Sequence, residues 1–385
     1  KGSWIGRRSK RFLNYSMEER KAVDLRPREV IVEIGTEESA VFRNLKSSLP
    51  DVPFSFVEDH RDFLSSLKAS KDPFGRVKGH LYLTRHKGEF LKMCPGSEGQ
   101  VCCNFFVVNF ASNCPMDCSY CYLQDYLARN PALKVFSNTE DLIEEIHGFL
   151  SCHRKSFFRV GTGELTDSLA LDPYIGLSDQ LVPFFAEQPN ALLELKTKSN
   201  HIERLLPLDP RSRVVVSWSM NPQRVIDSEE HGTASLDDRL GAAYRCQEAG
   251  YKLGFHFDPI IEYPGWEQDY RELVERIFSV VDHRRTSWIS MGVLRYTLGL
   301  KRVMRQRSPR TRILSGEQAL CADGKFRYFH PLRVSMYRKM LQWIREVSPT
   351  VFVYLCMESR EVWEQVFGFS PGGAKDLADQ MNFQQ

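Results

Sequence analysis

At 385 residues with 42% hydrophobic side chains, the chain is long enough for one large α/β domain with additions or for two modest domains, and it can fill a sizeable core. Its net charge of +3 is too small to indicate a polyanionic partner, so the distribution of charge matters more than the sum. No window approaches the run of about eighteen apolar residues that a membrane span needs, and the opening KGSWIGRRSKRFLNYSMEER has basic residues without a signal peptide's apolar stretch; a soluble, cytoplasmic protein with no membrane partner is expected.

In chain order, EVIVEIGT and the pair HLYLTRH and EFLKMCP read as strands of a small α/β cap over residues 1–100. From Val101 onward, apolar β-rich runs alternate with helical patterns, the signature of consecutive βα units around a parallel sheet. Six strands are expected, at Val101–Phe110, Phe157–Gly161, Leu192–Thr197, Val214–Ser219, Leu253–Pro259 and Trp288–Leu294. Apolar residues at helical spacing predict helices between them at Thr139–Leu150, Asp237–Ala249 and Trp266–Val281. Six units are fewer than the eight of a closed barrel, so the expected fold is a partial, laterally open (β/α)6 barrel over residues 101–310. Residues 311–385 add a Gly-centred hairpin around ADGKFRYF, a helix from about Ser335, a strand TVFVYLCM and a closing helix ESREVWEQVFGF.

Basic residues gather in GRRSKR, in LKRVMRQRSPRTRIL from Leu300, and in KFRYFHPLRVSMYRK from Lys325. Any one of these is ordinarily a solvated face. The aromatic residues Phe326, Tyr328, Phe329 and Tyr337 interleaved in the third move it toward a polyanion contact.

Ten cysteines are spread over a chain with a full core and cluster once, which points to a reducing compartment and one cofactor site rather than a disulfide framework. The cluster is NFASNCPMDCSYCYLQ, with Cys114, Cys118 and Cys121 in one short loop after an apolar strand. A structural zinc wants four ligands in a closed tetrahedron. Here the loop holds no histidine, and Cys102 and Cys103 fall in the strand candidate. The shell is one ligand short, which suits a [4Fe-4S] cluster held by three thiolates with one iron open to an external ligand. On the residues alone a structural metal knuckle stays as the alternative.

The Cys-x3-Cys-x2-Cys pattern after the first strand of a βα series resembles the radical S-adenosylmethionine superfamily. The resemblance narrows on CSYCYLQ, LKTKSNHIERLL, SWSMNP, SLDDRLGAAYRCQEAGYKLGFHFDPI followed by GW, and LRYTLGLKRV, which together look like the spore photoproduct lyase family. It extends from about Leu81 to the end and leaves most of the first 80 residues unexplained. It implies a [4Fe-4S] cluster, S-adenosylmethionine cleaved to a 5'-deoxyadenosyl radical, and direct reversal of a thymine-dimer-type photolesion. The implied partners are damaged duplex DNA with the lesion flipped into the barrel, and an electron donor such as flavodoxin or ferredoxin. A radical enzyme of the same fold acting on an RNA base, a nucleotide derivative or a peptide is the competing reading, and a nucleic-acid-binding protein with a structural metal knuckle is a third.

Carried over residue by residue, the resemblance places Cys114, Cys118 and Cys121 on the cluster. Around S-adenosylmethionine it places Glu164, Thr166, Lys198, Ser219, His256 and Asp258, at strand C-termini as barrel enzymes generally have them. Lys198 would pair with the cofactor's carboxylate. Tyr120 and Tyr122 match family tyrosines discussed as a hydrogen-transfer relay; aromatic packing over the cluster is the plainer account of both. Arg327 and Tyr328 match a hairpin that wedges into duplex DNA, and Arg295, Lys301 and Arg302 would neutralise further phosphates.

One departure stands out. Lyases that repair the spore lesion carry a cysteine where this chain has Glu164, and a serine where it has Thr166. That thiol returns a hydrogen atom to the thymine radical, which a carboxylate cannot do. Gly161-Thr162-Gly163-Glu164 instead resembles the small-small-Glu turn that binds the cofactor's ammonium in many radical S-adenosylmethionine enzymes. Cys356, at the end of VFVYLCM, and the hydroxyls of Tyr120 and Tyr122 are then the candidate hydrogen donors, although a lone cysteine in an apolar strand is ordinarily core.

Overall fold

A run such as VVVSWS has no polar face to turn to water, so it folds only where both sides are covered, and all six of its residues are buried. The computed structural model describes residues 23–58, 63, 65, 67 and 70–382, and the basic GRRSKR segment lies outside them. In chain order its strands are β1 (Glu29–Glu33), β2 (Phe54–Val57), β3 (His80–Thr84), β4 (Leu91–Met93), β5 (Phe106–Val108), β6 (Ala111–Ser112), β7 (Asp117–Cys118), β8 (Leu133–Phe136) and β9 (Phe158–Gly161). Then come β10 (Ala191–Thr197), β11 (Val214–Ser219), β12 (Glu230–His231), β13 (Lys252–Ile260), β14 (Thr286–Val293), β15 (Arg295–Tyr296), β16 (Gln318–Leu320), β17 (Phe326–Tyr328) and β18 (Val353–Leu355).

The principal sheet has the order β18-β14-β13-β11-β10-β9-β5-β4 and curls into a partial barrel. From β18 to β5 every pairing is parallel, and only β4 runs antiparallel to its neighbour. The six expected barrel strands are β5, β9, β10, β11, β13 and β14. The expected strand at 101–110 shrinks to β5, with Val101 making a single bridge to Glu358. The helices Thr139–Cys152, Leu236–Glu248 and Trp266–Val280 stand where their spacing predicted.

A second sheet, β2-β1-β3-β8-β6, carries the N-terminal strands. Two of its members, β6 and β8, come from beyond residue 100, so the cap and the barrel interleave where the sequence suggested a boundary. The consequence is local: the three-cysteine loop leaves β6 and returns to β8 and is framed by the N-terminal sheet. At the C-terminal end β15, β17 and β16 form a small antiparallel sheet that contains the expected hairpin, turned at Gly324 with φ 73°. The following helix, His330–Val347, starts earlier than the expected Ser335, because Pro331 in its first turn is already fixed at a helical φ. No helix among the described residues is long and apolar enough to cross a membrane.

Candidate active site

The cysteine loop is held from four sides. Asn113, buried at positive φ, accepts the Cys114 N–H at 2.7 Å and so turns the chain into the loop. β7, which contains Cys118, pairs antiparallel with β12, so Glu230 lies opposite Cys118. Gln124 Nε2 donates to the Cys118 and Ser119 carbonyls at 3.1 and 2.9 Å. Arg307, at the end of the helix Leu298–Arg307, binds Asp117 through two 2.9 Å bonds, Gln124, and Asp72 at 2.8 Å.

Cys114 and Cys118 are buried, Cys121 partly so, and all ten cysteines are free thiols. Burial pushes the Cys114 thiol up to about 12, and burial beside the Glu230 carboxylate pushes Cys118 well above its ordinary range. Such sulfurs become thiolates by binding metal. Among the described residues no three His, Cys, Asp or Glu side chains converge on one point as a single ion requires. The loop's donor set, three thiols and no histidine, fits a [4Fe-4S] cluster with one iron left open better than a closed four-ligand zinc shell.

Two charged clusters flank the loop. Glu230, fully buried, accepts from Arg239 Nη2 at 2.6 Å, from Asn221 Nδ2 at 2.8 Å and from the Tyr120 hydroxyl. Burial alone would raise its pKa; the Arg239 guanidinium and the Lys198 ammonium hold it at about 2. Lys198 Nζ stands 3.8 Å from Glu230 and 5.8 Å from the centre of the Tyr120 ring, a loose hold that leaves its donors free for a ligand. On the other side Tyr122 donates to the Glu164 carbonyl at 2.7 Å and to its Oε1 at 3.2 Å. Gly163 has to be glycine: a Cβ there would lie 2.9 Å from Lys196 Cβ and 3.1 Å from Ser168 Oγ. The following Asp167 accepts the backbone N–H groups of Leu169, Ala170 and Lys198, which locks this turn to the end of β10. Thr166 Oγ1 is buried and has no hydrogen-bond partner among the described residues. Ser219 is buried at the end of β11 and gives its carbonyl to Arg239 at 2.9 Å.

His256 and Asp258 occupy a different layer. His256 Nε2 bonds Glu194 Oε1 at 2.7 Å, and Glu194 also accepts from Ser217 and Arg159. Burial lowers the His256 pKa, so a neutral imidazole donates to an ionised Glu194, which Arg159 and His256 keep below the usual carboxylate range against the cost of burial. Asp258 forms a two-bond pair with Arg295 at 2.9 and 3.0 Å. Both expected cofactor ligands thus have partners within the barrel wall, His256 through its Nε2 and Asp258 through both carboxylate oxygens. Cys356, just beyond β18, has Arg295 Nη2 3.7 Å from its sulfur. The sequence reading missed Glu194, Arg159, Glu230 and Arg239, since charged residues in apolar segments read as surface; Arg239 in SLDDRLGAAY, at a fully buried helix position, is the signal that was there.

The expected DNA contacts separate by exposure. Arg295 is taken by Asp258, and Arg327 is 1% exposed with both its terminal nitrogens on Asp323 at 2.6 and 2.7 Å. Tyr328 is also 1% exposed, and its hydroxyl accepts the Glu262 N–H. As placed, Arg327 and Tyr328 are buried and Arg295 is paired, so none of the three presents an exposed unpaired cation. Arg302 is exposed, and Lys301 is partly so, with its ammonium 4.7 Å over the Phe326 ring.

The family described as spore photoproduct lyase matches residues 100–342. Spore photoproduct lyase of Bacillus subtilis (strain 168) is 28% identical over 215 residues, 55% of this chain and 63% of the relative. That of Geobacillus sp. (strain Y412MC61) is 30% identical over 210 residues, 54% and 62% of the two chains. The chain thus matches just under two thirds of the length of these relatives. Among solved structures, a spore photoproduct lyase mutant with bound AdoMet and dinucleoside spore photoproduct aligns with TM-score 0.75 at 23% identity, covering 86% of this chain and 98% of that one. A second lyase structure, complexed with dinucleoside spore photoproduct, aligns at 0.74 over 86% and 99% at the same identity. Fold and sequence agree: the chain belongs to the spore photoproduct lyase family.

Proposed function

We propose that this chain is a radical S-adenosylmethionine lyase that reverses a thymine-dimer-type photolesion in DNA. The observation that carries the reading is the three-thiol loop with Lys198 and Glu164 on either side of it, at the C-terminal ends of β10 and β9. Cys114, Cys118 and Cys121 would hold the [4Fe-4S] cluster, which with S-adenosylmethionine supplies one-electron chemistry when bound. Lys198 offers a cation to the cofactor's carboxylate, and Glu164 a carboxylate to its ammonium; Thr166 and Ser219 add hydroxyls nearby. Tyr122 fixes the Glu164 carboxylate, so the acceptor is oriented before the ligand arrives.

Dimer reversal removes one hydrogen atom from the lesion and must return one. Cys356 is the thiol this reading assigns to the return, with Tyr120 and Tyr122 as the relay between cluster loop and barrel. The damaged duplex would lie across the barrel mouth with Arg302 and Lys301 on its phosphates, and a flavodoxin- or ferredoxin-type protein would supply the electron. The second reading, a different radical reaction on the same fold, draws on Glu164 itself, since its tie to Tyr122 puts a carboxylate where the resemblance implies a hydrogen donor.

The test is anaerobic: reconstitute and reduce the cluster, add S-adenosylmethionine and dinucleoside spore photoproduct, and follow 5'-deoxyadenosine and repaired thymine. Repair that falls roughly tenfold in Cys356→Ala while 5'-deoxyadenosine still forms is the expected result. Cofactor cleavage with the lesion untouched favours the second reading.

A further inference from the structure

Lys78 belongs to the N-terminal part of the chain, two residues past the short helix Pro73–Arg76, yet its side chain ends in the cysteine loop. Its Nζ donates to the Cys114 carbonyl at 2.7 Å and to Asn113 Oδ1 at 3.2 Å, and stands 4.1 Å over the Phe74 ring. Phe74 and Leu25 pack with Cys114 in one apolar cluster, against which Cys121 also lies. The ammonium is therefore set at the Cys114 end of the loop, on a side that the N-terminal segment closes with apolar groups. Its hydrogen-bond partners are neutral oxygens, and the nearby carboxylates Asp117 and Asp72, which act on it from farther off, are paired with Arg307. A partly desolvated cation is costly unless an opposite charge stands near. The loop's own ligand supplies one, because three thiolates around a [4Fe-4S] core leave a net negative charge that grows by one on reduction. Charge and hydrogen bonding around such a cluster set its potential.

We propose that Lys78 is a fixed positive charge that raises the reduction potential of the cluster, and that the N-terminal sheet frames the loop in order to deliver it. The inference rests on the cluster reading given above. It gives a task to a part of the chain that the family resemblance leaves unexplained: β3 begins two residues after Lys78, and the loop runs from β6 to β8 of the same sheet, so one sheet fixes both the charge and the thiols. Lys78 is then a positioning residue for the electron rather than for the substrate. It favours the state with the extra negative charge and eases reduction by a weak donor.

The experiment uses the full chain, reconstituted anaerobically, with iron per chain measured first and the midpoint potential then read by EPR-monitored titration without S-adenosylmethionine. Lys78→Gln keeps a donor to the carbonyl without the charge, Lys78→Met keeps the stem alone, and Lys78→Arg keeps the charge. The expected result is a reduction equilibrium about tenfold less favourable in both neutral variants, close to 59 mV for a one-electron couple, with iron content unchanged and Lys78→Arg near the parental value. Neutral variants with full iron and the parental potential would overturn the proposal. Should the neutral variants lose iron, Lys78→Arg decides. Iron held at the parental potential upholds the charge, whereas iron lost there too makes Lys78 a clamp for the loop and nothing more. A parental chain that takes up no iron fails the cluster reading itself, and is told apart from the other outcomes at the first step.

Discussion

Glu164 is where chemistry and ancestry pull apart. Its carboxylate meets the Tyr122 hydroxyl and shares the β9 turn with the unpartnered Thr166 hydroxyl, a setting that suits an ammonium group and has no hydrogen atom to give to a carbon radical. Removing that charge tests the assignment. Glu164→Gln should weaken S-adenosylmethionine binding roughly tenfold, the worth of one charge-assisted hydrogen bond, measured by calorimetry on the reconstituted chain. An unchanged affinity would return Glu164 to the role of a structural group that holds Tyr122. The three loop cysteines and Lys198 stand out in the sequence because motif and spacing carry them. Glu230 does not: nothing in DSEEHGT announces a buried carboxylate, and its burial is created by β12 pairing with β7, over a hundred residues away in the chain.

At the scale of elements, long apolar strands were readable and short pairings were not. ALLELKT and VVVSWS state their burial in composition, whereas β6, β7 and β12 are two-residue strands whose existence depends on tertiary contact. The hairpin is announced by its glycine turn, but nothing in the local residues hints that Asp323, which reads as a turn residue, takes the Arg327 guanidinium. That pairing yields opposite expectations for two arginines. Arg302→Ala should weaken duplex binding evenly across sequences and flatten the salt dependence by about one phosphate contact. Arg327→Ala should chiefly destabilise the β15-β17-β16 sheet, seen as a lower melting temperature, because it leaves Asp323 buried and unpaired. A salt slope altered by Arg327→Ala at unchanged stability would place that residue on DNA after all.

Over the whole molecule, one carboxylate ties the barrel wall together: Glu194 on β10 holds Arg159 of β9, Ser217 of β11 and His256 of β13. Arg159→Met should cost about 3–5 kcal/mol in chemical denaturation, since it strands a buried negative charge. The same network sets an acid limit. Glu194 has its folded pKa below the ordinary 4.5, so its contribution to stability is complete above that value and is lost as pH falls through the lower folded one. Stability measured from pH 5 downward should therefore fall less steeply in Glu194→Gln than in the parent; equal slopes would remove Glu194 as a source of the acid sensitivity.

The cysteine loop hangs between β6 and β8 of the N-terminal sheet, and its proposed use stands or falls on a single chemical act. Single-turnover repair of dinucleoside spore photoproduct in D2O, followed by mass spectrometry of the thymine product, tests it most directly. An exchangeable hydrogen, whether on Cys356 or on a tyrosine, predicts repaired product carrying one deuterium. Lesion recovered intact while 5'-deoxyadenosine accumulates would contradict the assignment.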